Sequence, residues 1–244
     1  MLKLFIHGAA ALAIGLTVAA RDLGAAEHEP PVVVELFTSQ GCSSCPPAEA
    51  LLRELAKRPG VIALELHVDY WDYIGWKDPF ASHVYTQRQR GYSGSLGERY
   101  IYTPQMVFNG RTHAVGSDRG KVEAEINAMR DDAEPGPKIE LTRVGNSVRV
   151  RIDGKAVDSA YDIFFVTFDA EHKTRVARGE NRGMTLINTN IVRALDKVGQ
   201  WRGQPVDLTV SLAGKKGDGG CAVLVQKVGN GPIVAAAVLP YQGG

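Results

Sequence analysis

The chain has little net charge, and this shortage excludes one class of partner. Its 28 basic and 27 acidic side chains leave a formal net charge of +1 over 244 residues. Binding to nucleic acid depends on a basic surface that neutralises phosphates, so a nucleic acid is not an expected partner. The composition is otherwise that of a globular protein, and the length predicts one or two domains.

The chain also lacks an apolar run that would anchor it firmly in a membrane. The interrupted apolar stretch at residues 4–20 is shorter than the roughly 20 residues that cross a bilayer. Lys3 precedes this stretch and small residues follow it, so residues 1–26 are predicted to be an export signal peptide. No cysteine precedes Cys42 that could carry a lipid anchor. We expect an exported protein, periplasmic or secreted, that meets a membrane only if its signal stays uncleaved.

Cysteine is scarce as well, with three residues in the chain. Disulfides persist in the oxidising compartments that exported proteins reach. Cys42 and Cys45 are three positions apart and form the obvious redox pair. Cys221 is left over, and it begins a strand-like apolar run in which a cysteine usually acts as a small buried residue.

The sequence has only half of a zinc site, because no second cysteine or close histidine accompanies Cys221. His67 could complete a soft metal site with Cys42 and Cys45, and Cu(I) would then be favoured over zinc. The four methionines form no cluster, however, and a histidine that ends a buried strand is more often structural. A Cu(I)-binding protein is therefore a minor alternative, and no cofactor beyond the redox disulfide is expected.

Strand and helix patterns alternate in the part of the chain that follows the predicted signal. Apolar, β-branched runs predict strands at residues 31–37, 61–68, 103–108 and 112–115, the last two joined by the turn signal Asn109-Gly110. Helical spacing and capping residues predict helices at 48–57, from Asp78 toward Gly91, and from Asp118 past Met129.

Two adjacent prolines fix where the first helix begins. Pro46 and Pro47 fit only the first helical turn, where a missing N–H loses no partner, so the helix must start near Ser44 or Cys45. Cys42 then lies on the preceding loop and is predicted to be the more exposed thiol. The helix start supplies N–H groups and a positive dipole end that favour a thiolate.

The composition changes after the third helix. Residues 131–137 are acidic and contain Pro-Gly-Pro, which is typical of a linker between domains. Beyond this linker, turn residues separate predicted strands at 139–153, 161–169, 206–213, 221–228 and 233–239. Residues 188–198 read as a short helix or an ordered loop. We expect an α/β domain at 31–130 and a small all-β, sandwich-like domain at 138–241.

Residues 31–130 resemble the thioredoxin fold, because a Cys-x-x-Cys follows the first buried strand and Thr103-Pro104 precedes the third. The resemblance implies that Pro104 is a cis-proline, with the backbone of Thr103 beside the sulfurs. A trans proline at the start of an edge strand is the ordinary alternative.

The segments at residues 37–47, 67–72, 75–80 and 179–183 are similar to a family of secreted bacterial thioredoxin-like proteins of unknown function, domain of unknown function 1223. Working thioredoxins carry an aromatic residue before the first cysteine and Gly-Pro between the pair. Gly41 and two serines stand at those positions here, so the redox direction stays open.

We interpret the chain as a thiol-disulfide oxidoreductase that acts on an extracytoplasmic protein or a small thiol. The thiolate of Cys42 would attack a partner's sulfur, and Cys45 would resolve the mixed disulfide. The alternative is a non-catalytic binding module in which the pair is a structural disulfide.

Two further groups of residues are candidates for contacts at this site. Four side chains after the second strand could form a substrate rim: Asp69, Tyr70, Trp71 and Trp76. Alternatively, the tryptophans pack against the second domain and the aspartate forms a turn. Three polar residues could contact the first domain from the second, or form a polar turn: Glu180, Asn181 and Arg182.

Overall fold

The computed structural model describes residues 30–155 and 158–241, so the predicted signal peptide at residues 1–26 lies outside the described residues. The helices, in chain order, are α1 (Pro46–Leu55), a 3-10 helix (Asp72–Ile74), α2 (His83–Ser95) and α3 (Arg119–Asp131). The strands of the first half are β1 (Val32–Thr38), β2 (Val61–His67), β3 (Gln105–Phe108) and β4 (Thr112–Val115). Those of the second half are β5 (Lys138–Val144), β6 (Ser147–Asp153), β7 (Tyr161–Arg175), β8 (Thr185–Trp201), β9 (Val206–Ser211), β10 (Gly220–Lys227) and β11 (Ile233–Pro240).

The first half forms a mixed sheet around β1. Strand β2 runs parallel to β1, as the crossover through α1 requires, and β3 runs antiparallel on the other side of β1. The hairpin between β3 and β4 turns through Asn109 and Gly110, which have φ angles of 46° and 61°. Positive φ at both positions is typical of a type I′ turn, so the predicted hairpin is confirmed.

The starts of two helices agree with the sequence prediction and one does not. Cys45 is the N-cap of α1, and the Asp118 carboxylate caps α3 by accepting from the Lys121 N–H. The prediction that Asp78 caps α2 is wrong, because α2 begins at His83 with Ser82 as its cap. Asp78 instead accepts hydrogen bonds from Gln40 N and Phe80 N.

Strand β8 differs from the sequence prediction. Residues 188–198 belong to this long strand, so the predicted helix or loop is wrong. Strand β8 pairs with β7 along most of its length and also runs parallel to β2, through the pair Glu65 and Ile191. Strands that precede and strands that follow residues 131–137 therefore share one eight-stranded sheet, in the order β11-β10-β7-β8-β2-β1-β3-β4.

The core has three parts, which the alternation of side chains along the strands keeps separate. Val32, Val34 and Leu36 of β1 face α1 and α3, whereas Val33 and Phe37 face the side of the sheet that α2 covers. The third part lies between the sheet β5-β6-β9 and strands β7 and β10. Within the described part of the chain, none of the helices is long and apolar enough to cross a membrane.

Candidate disulfide site

The disulfide lies where the central strand meets the first helix. Cys42 and Cys45 are joined, with their Cα atoms 5.5 Å apart. Cys45 N donates to the carbonyl oxygen of Cys42, which closes a tight turn, and Cys45 O accepts from the first turn of α1. The sulfurs are therefore held at the carboxyl end of β1 and at the amino end of α1.

The Thr103–Pro104 peptide bond is cis, as the resemblance implies. Gln105 pairs with Phe37, so Pro104 lies alongside the end of β1 that leads to the disulfide. The indole Nε1 of Trp71 donates to Thr103 Oγ1 at 2.8 Å, which ties the segment before β3 to the segment after β2.

The disulfide is not exposed, which corrects the sequence prediction. Cys42 and Cys45 both have 0% exposed surface, whereas Ser43 and Ser44 between them are exposed. The prediction that Cys42 is the more exposed thiol is wrong because residues from the second half of the chain cover it.

The cover is the turn between β7 and β8, residues 176–184, hereafter the covering turn. Asn181 Nδ2 donates to the carbonyl oxygens of Gln40 at 2.9 Å and Cys42 at 3.0 Å. The carboxylate of Glu180 accepts from Ser43 N at 3.2 Å. The predicted contact between the two halves is therefore found for Asn181 and Glu180, while Arg182 is exposed to solvent.

The four rim candidates divide into two pairs. Trp76 Nε1 donates to Gln40 Oε1, and Trp71 reaches Thr103, so both tryptophans contact segments next to the disulfide. Asp69 accepts from Thr86 and faces His83, while the Tyr70 hydroxyl donates to Gln89, so this second pair is bonded to α2. Burial raises the pKa of Tyr70 to about 12.

Glycine at position 41 has a packing reason. A Cβ atom there would lie 3.2 Å from both Ile74 Cδ1 and Trp71 Cβ, which is tighter than ordinary contact. The segment after β2 thus occupies the space that a larger side chain before Cys42 would need.

A buried cluster of titratable groups lies behind the site, between the sheet and α1. Glu49 follows Cys45 by one helical turn, and its carboxylate accepts from Thr38 Oγ1 at 2.8 Å. Burial raises the pKa of Glu49 to about 8, and the nearby charge of Glu65 also raises it, against the opposing effects of His67 and Thr38. The carboxyl group of Glu49 is therefore protonated at neutral pH.

His67 belongs to the same cluster. Its Nδ1 lies 2.7 Å from Asp78 Oδ2, and its Nε2 lies 3.4 Å from Glu65 Oε1 without the alignment of a hydrogen bond. Burial alone would lower the pKa of His67, but the charge of Asp78, its hydrogen bond to the ring and the nearby charge of Glu65 raise that pKa well above its ordinary value. Its ring therefore faces carboxylates, and no group of three or more metal-ligating side chains is found among residues 30–155 and 158–241.

Sequence reasoning missed the polar residues that hold this cluster in place. Asn188 donates to Glu65 and accepts from Gln40 Nε2, so it joins β8 to the segment before the disulfide. Glu49 carried a signal that could have found it, since it lies four residues after Cys45 on the buried face of α1. A charged residue on such a face must have a partner or change its pKa.

The fold and the site define an α/β protein with a covered disulfide at the carboxyl end of its central strand. The chain belongs to the family described as Protein of unknown function (DUF1223), whose model matches residues 33–226. Among solved structures it is similar to protein AGR_C_4864 from Agrobacterium tumefaciens, with 32% identity, a TM-score of 0.77, and coverage of 90% of this chain and 98% of that chain.

A more distant likeness is to HBP35 of Porphyromonas gingivalis, at 13% identity and a TM-score of 0.56, covering 86% of this chain and 75% of that one. At this identity the likeness concerns the fold alone. No curated protein matches the chain.

Proposed function

We propose that this protein is an exported thiol-disulfide oxidoreductase of the thioredoxin superfamily, acting through Cys42 and Cys45 on a protein or a small thiol. The observation that carries the proposal is the disulfide itself, closed across a Cys-x-x-Cys at the amino end of α1. A helix start favours a thiolate, which is the reactive form of cysteine in exchange. The cis Thr103–Pro104 bond beside the same strand end supports the assignment.

The exchange proceeds in two steps. An incoming thiolate attacks the sulfur of Cys42, the bond to Cys45 breaks, and Cys45 leaves with the electron pair and takes up a proton. A second thiolate then resolves the mixed disulfide and leaves the pair reduced. The reverse sequence reduces a partner's disulfide: the thiolate of Cys42 attacks a partner sulfur and releases a partner thiol, and Cys45 then attacks Cys42, frees the second partner thiol and leaves the pair oxidised.

A redox titration tests the proposal directly. Oxidised protein is equilibrated in graded dithiol buffers, and alkylated Cys42 and Cys45 are counted by peptide mass. We expect a reversible two-electron transition between about −270 and −120 mV, the range of known exchange proteins. Cys221 is buried in the third part of the core, so its alkylation should stay constant through the titration.

Substitution of single cysteines tests the order of the steps. Cys45→Ser leaves Cys42 without its resolving partner, so the thiolate of Cys42 that attacks a partner's disulfide and releases one partner thiol should stay trapped as a mixed disulfide. Cys42→Ser should trap little, because Cys45 is the resolving thiol in this assignment. Cys221→Ser is the matched control, and its exchange rate should equal that of the unmodified protein.

Burial of both sulfurs favours a second candidate function, a binding module with a structural disulfide. A pair that remains oxidised below about −300 mV would support this candidate and contradict the exchange proposal. Loss of the disulfide would then lower the free energy of unfolding, and no exchange activity would be lost with it. A short loop gains less from a cross-link than a long one, which argues against a purely structural role.

A further inference from the structure

We propose that Asn181 is a latch residue, whose side chain holds the covering turn over the disulfide and so sets how fast the sulfur of Cys42 can be attacked. This inference deepens the proposed function, because it concerns access to the same site. It makes Asn181 a positioning residue, since its side chain contacts the backbone around the reacting sulfur and not the reactants.

The contacts of Asn181 are directed at the backbone that carries the sulfur. The residue is 2% exposed, and its side-chain amide nitrogen donates to two carbonyl oxygens, those of Gln40 and Cys42. These partners lie about 140 residues away in the chain and on either side of Gly41. A buried side chain shared between two carbonyls across the halves of the molecule fixes the turn in one position.

The covering turn has the features of a segment that can open as a unit. Gly179 and Gly183 bracket its tip and have φ angles of 75° and 85°, a region that glycine adopts without strain. Hydrogen bonds of the turn to itself, such as Gly183 N to Val176 O, do not involve the disulfide. Its bonds to the site, from Asn181 and to Glu180, are polar and can be replaced by water when the turn opens.

Opening matters because disulfide exchange needs direct contact with sulfur. An attacking atom must approach along the axis of the bond that it breaks, and neither cysteine has exposed surface in the closed form. The reaction therefore proceeds from the open form, and its rate is the open fraction multiplied by the intrinsic rate. A weaker latch raises that fraction.

The test measures reduction of the oxidised full-length protein by tris(2-carboxyethyl)phosphine. The phosphorus attacks the sulfur of Cys42, Cys45 leaves as a thiolate and is protonated, and water converts the phosphonium to phosphine oxide and frees the second thiol. Free thiols are counted by alkylation and mass. We expect Asn181→Ala and Asn181→Leu each to raise the second-order rate constant about 10-fold, because both remove the two hydrogen bonds.

Two control variants separate access from general loosening. Arg182→Ala changes the exposed tip of the same turn and should leave the rate within about twofold. Asn190→Ala removes a similar bond, from Asn190 Nδ2 to Ala63 O at 3.0 Å, between β8 and β2. The latch is overturned if the Asn181 variants react no faster than the unmodified protein, or no faster than Asn190→Ala.

This experiment is independent of the exchange proposal. A titration that identifies a structural disulfide would end the proposed function, whereas the phosphine rates would still decide whether Asn181 controls access. Conversely, an exchange-type potential with equal phosphine rates would keep the function and remove the latch.

Discussion

Replacement of Arg88 by methionine is expected to lower the free energy of unfolding by about 3–5 kcal/mol, the cost of leaving a buried charge without its partner. Arg88 Nε and Nη2 donate to the two carboxylate oxygens of Glu35 at 2.6 and 3.0 Å, with both side chains almost fully buried. Tyr92 donates to the same carboxylate and accepts from Gln226. The group therefore joins β1, α2 and β10.

Urea denaturation of the oxidised protein measures this effect as a fall in the midpoint at an unchanged slope. The double variant Glu35→Leu with Arg88→Met removes both charges and should recover most of the loss, because methionine and leucine fill similar volume. Arg119→Ala breaks an exposed ion pair with Glu54 and should leave the midpoint almost unchanged. A loss for Arg88→Met no larger than that of Arg119→Ala would contradict the assignment.

The sequence predicted correctly those elements that depend on a few neighbouring residues. The prolines at 46 and 47 fixed the start of α1, and Asn109-Gly110 fixed the hairpin. The prediction for Asp78 was wrong because a carboxylate can accept from nearby N–H groups within a loop as well as at the start of a helix. Which of the two forms depends on His67 and Gln40, which reach Asp78 only in the folded chain.

Strand β8 could not be predicted from its own residues. Its first third contains Asn188, Thr189 and Asn190 in succession, a composition typical of a loop. These residues form a strand because β7 pairs with them on one side, and because Asn188 and Thr189 N bond to the buried carboxylate of Glu65. The pairing is tertiary, so the pattern of a single segment does not contain it.

The candidate site shows the same division. The Cys42 and Cys45 pair and the cis bond at Pro104 were predictable from the motif and its neighbours. The burial of the sulfurs was not, because the cover comes from Asn181 and its turn, far along the chain. The resemblance pointed to that turn, but only the folded structure shows which backbone atoms it holds.

Replacement of Glu49 by glutamine is expected to change how stability depends on pH. The pKa of Glu49 is about 8 in the folded protein and near 4.5 when unfolded. Below pH 4.5 both states keep the proton, whereas between about pH 4.5 and 8 only the folded state does. The free energy of unfolding of the unmodified protein therefore falls across this range, by about 1.4 kcal/mol per pH unit from this group.

Glutamine cannot ionise, although its amide can still accept from Thr38. The free energy of unfolding of Glu49→Gln minus that of the unmodified protein should therefore be about 2–4 kcal/mol larger at pH 8 than at pH 5. Denaturation of both proteins at matched pH gives this difference, in which the contributions of groups that do not interact with Glu49 cancel.

Glu54→Gln on the same helix is the matched control for this pH series, because Glu54 is exposed and paired with Arg119. Its stability difference from the unmodified protein should stay nearly level between pH 5 and 8, since a carboxylate whose pKa the Arg119 guanidinium lowers is ionised throughout that range. A difference for Glu49→Gln that is equally level would mean that Glu49 is ionised in the folded protein. The negative charge behind Cys45 would then be one unit larger.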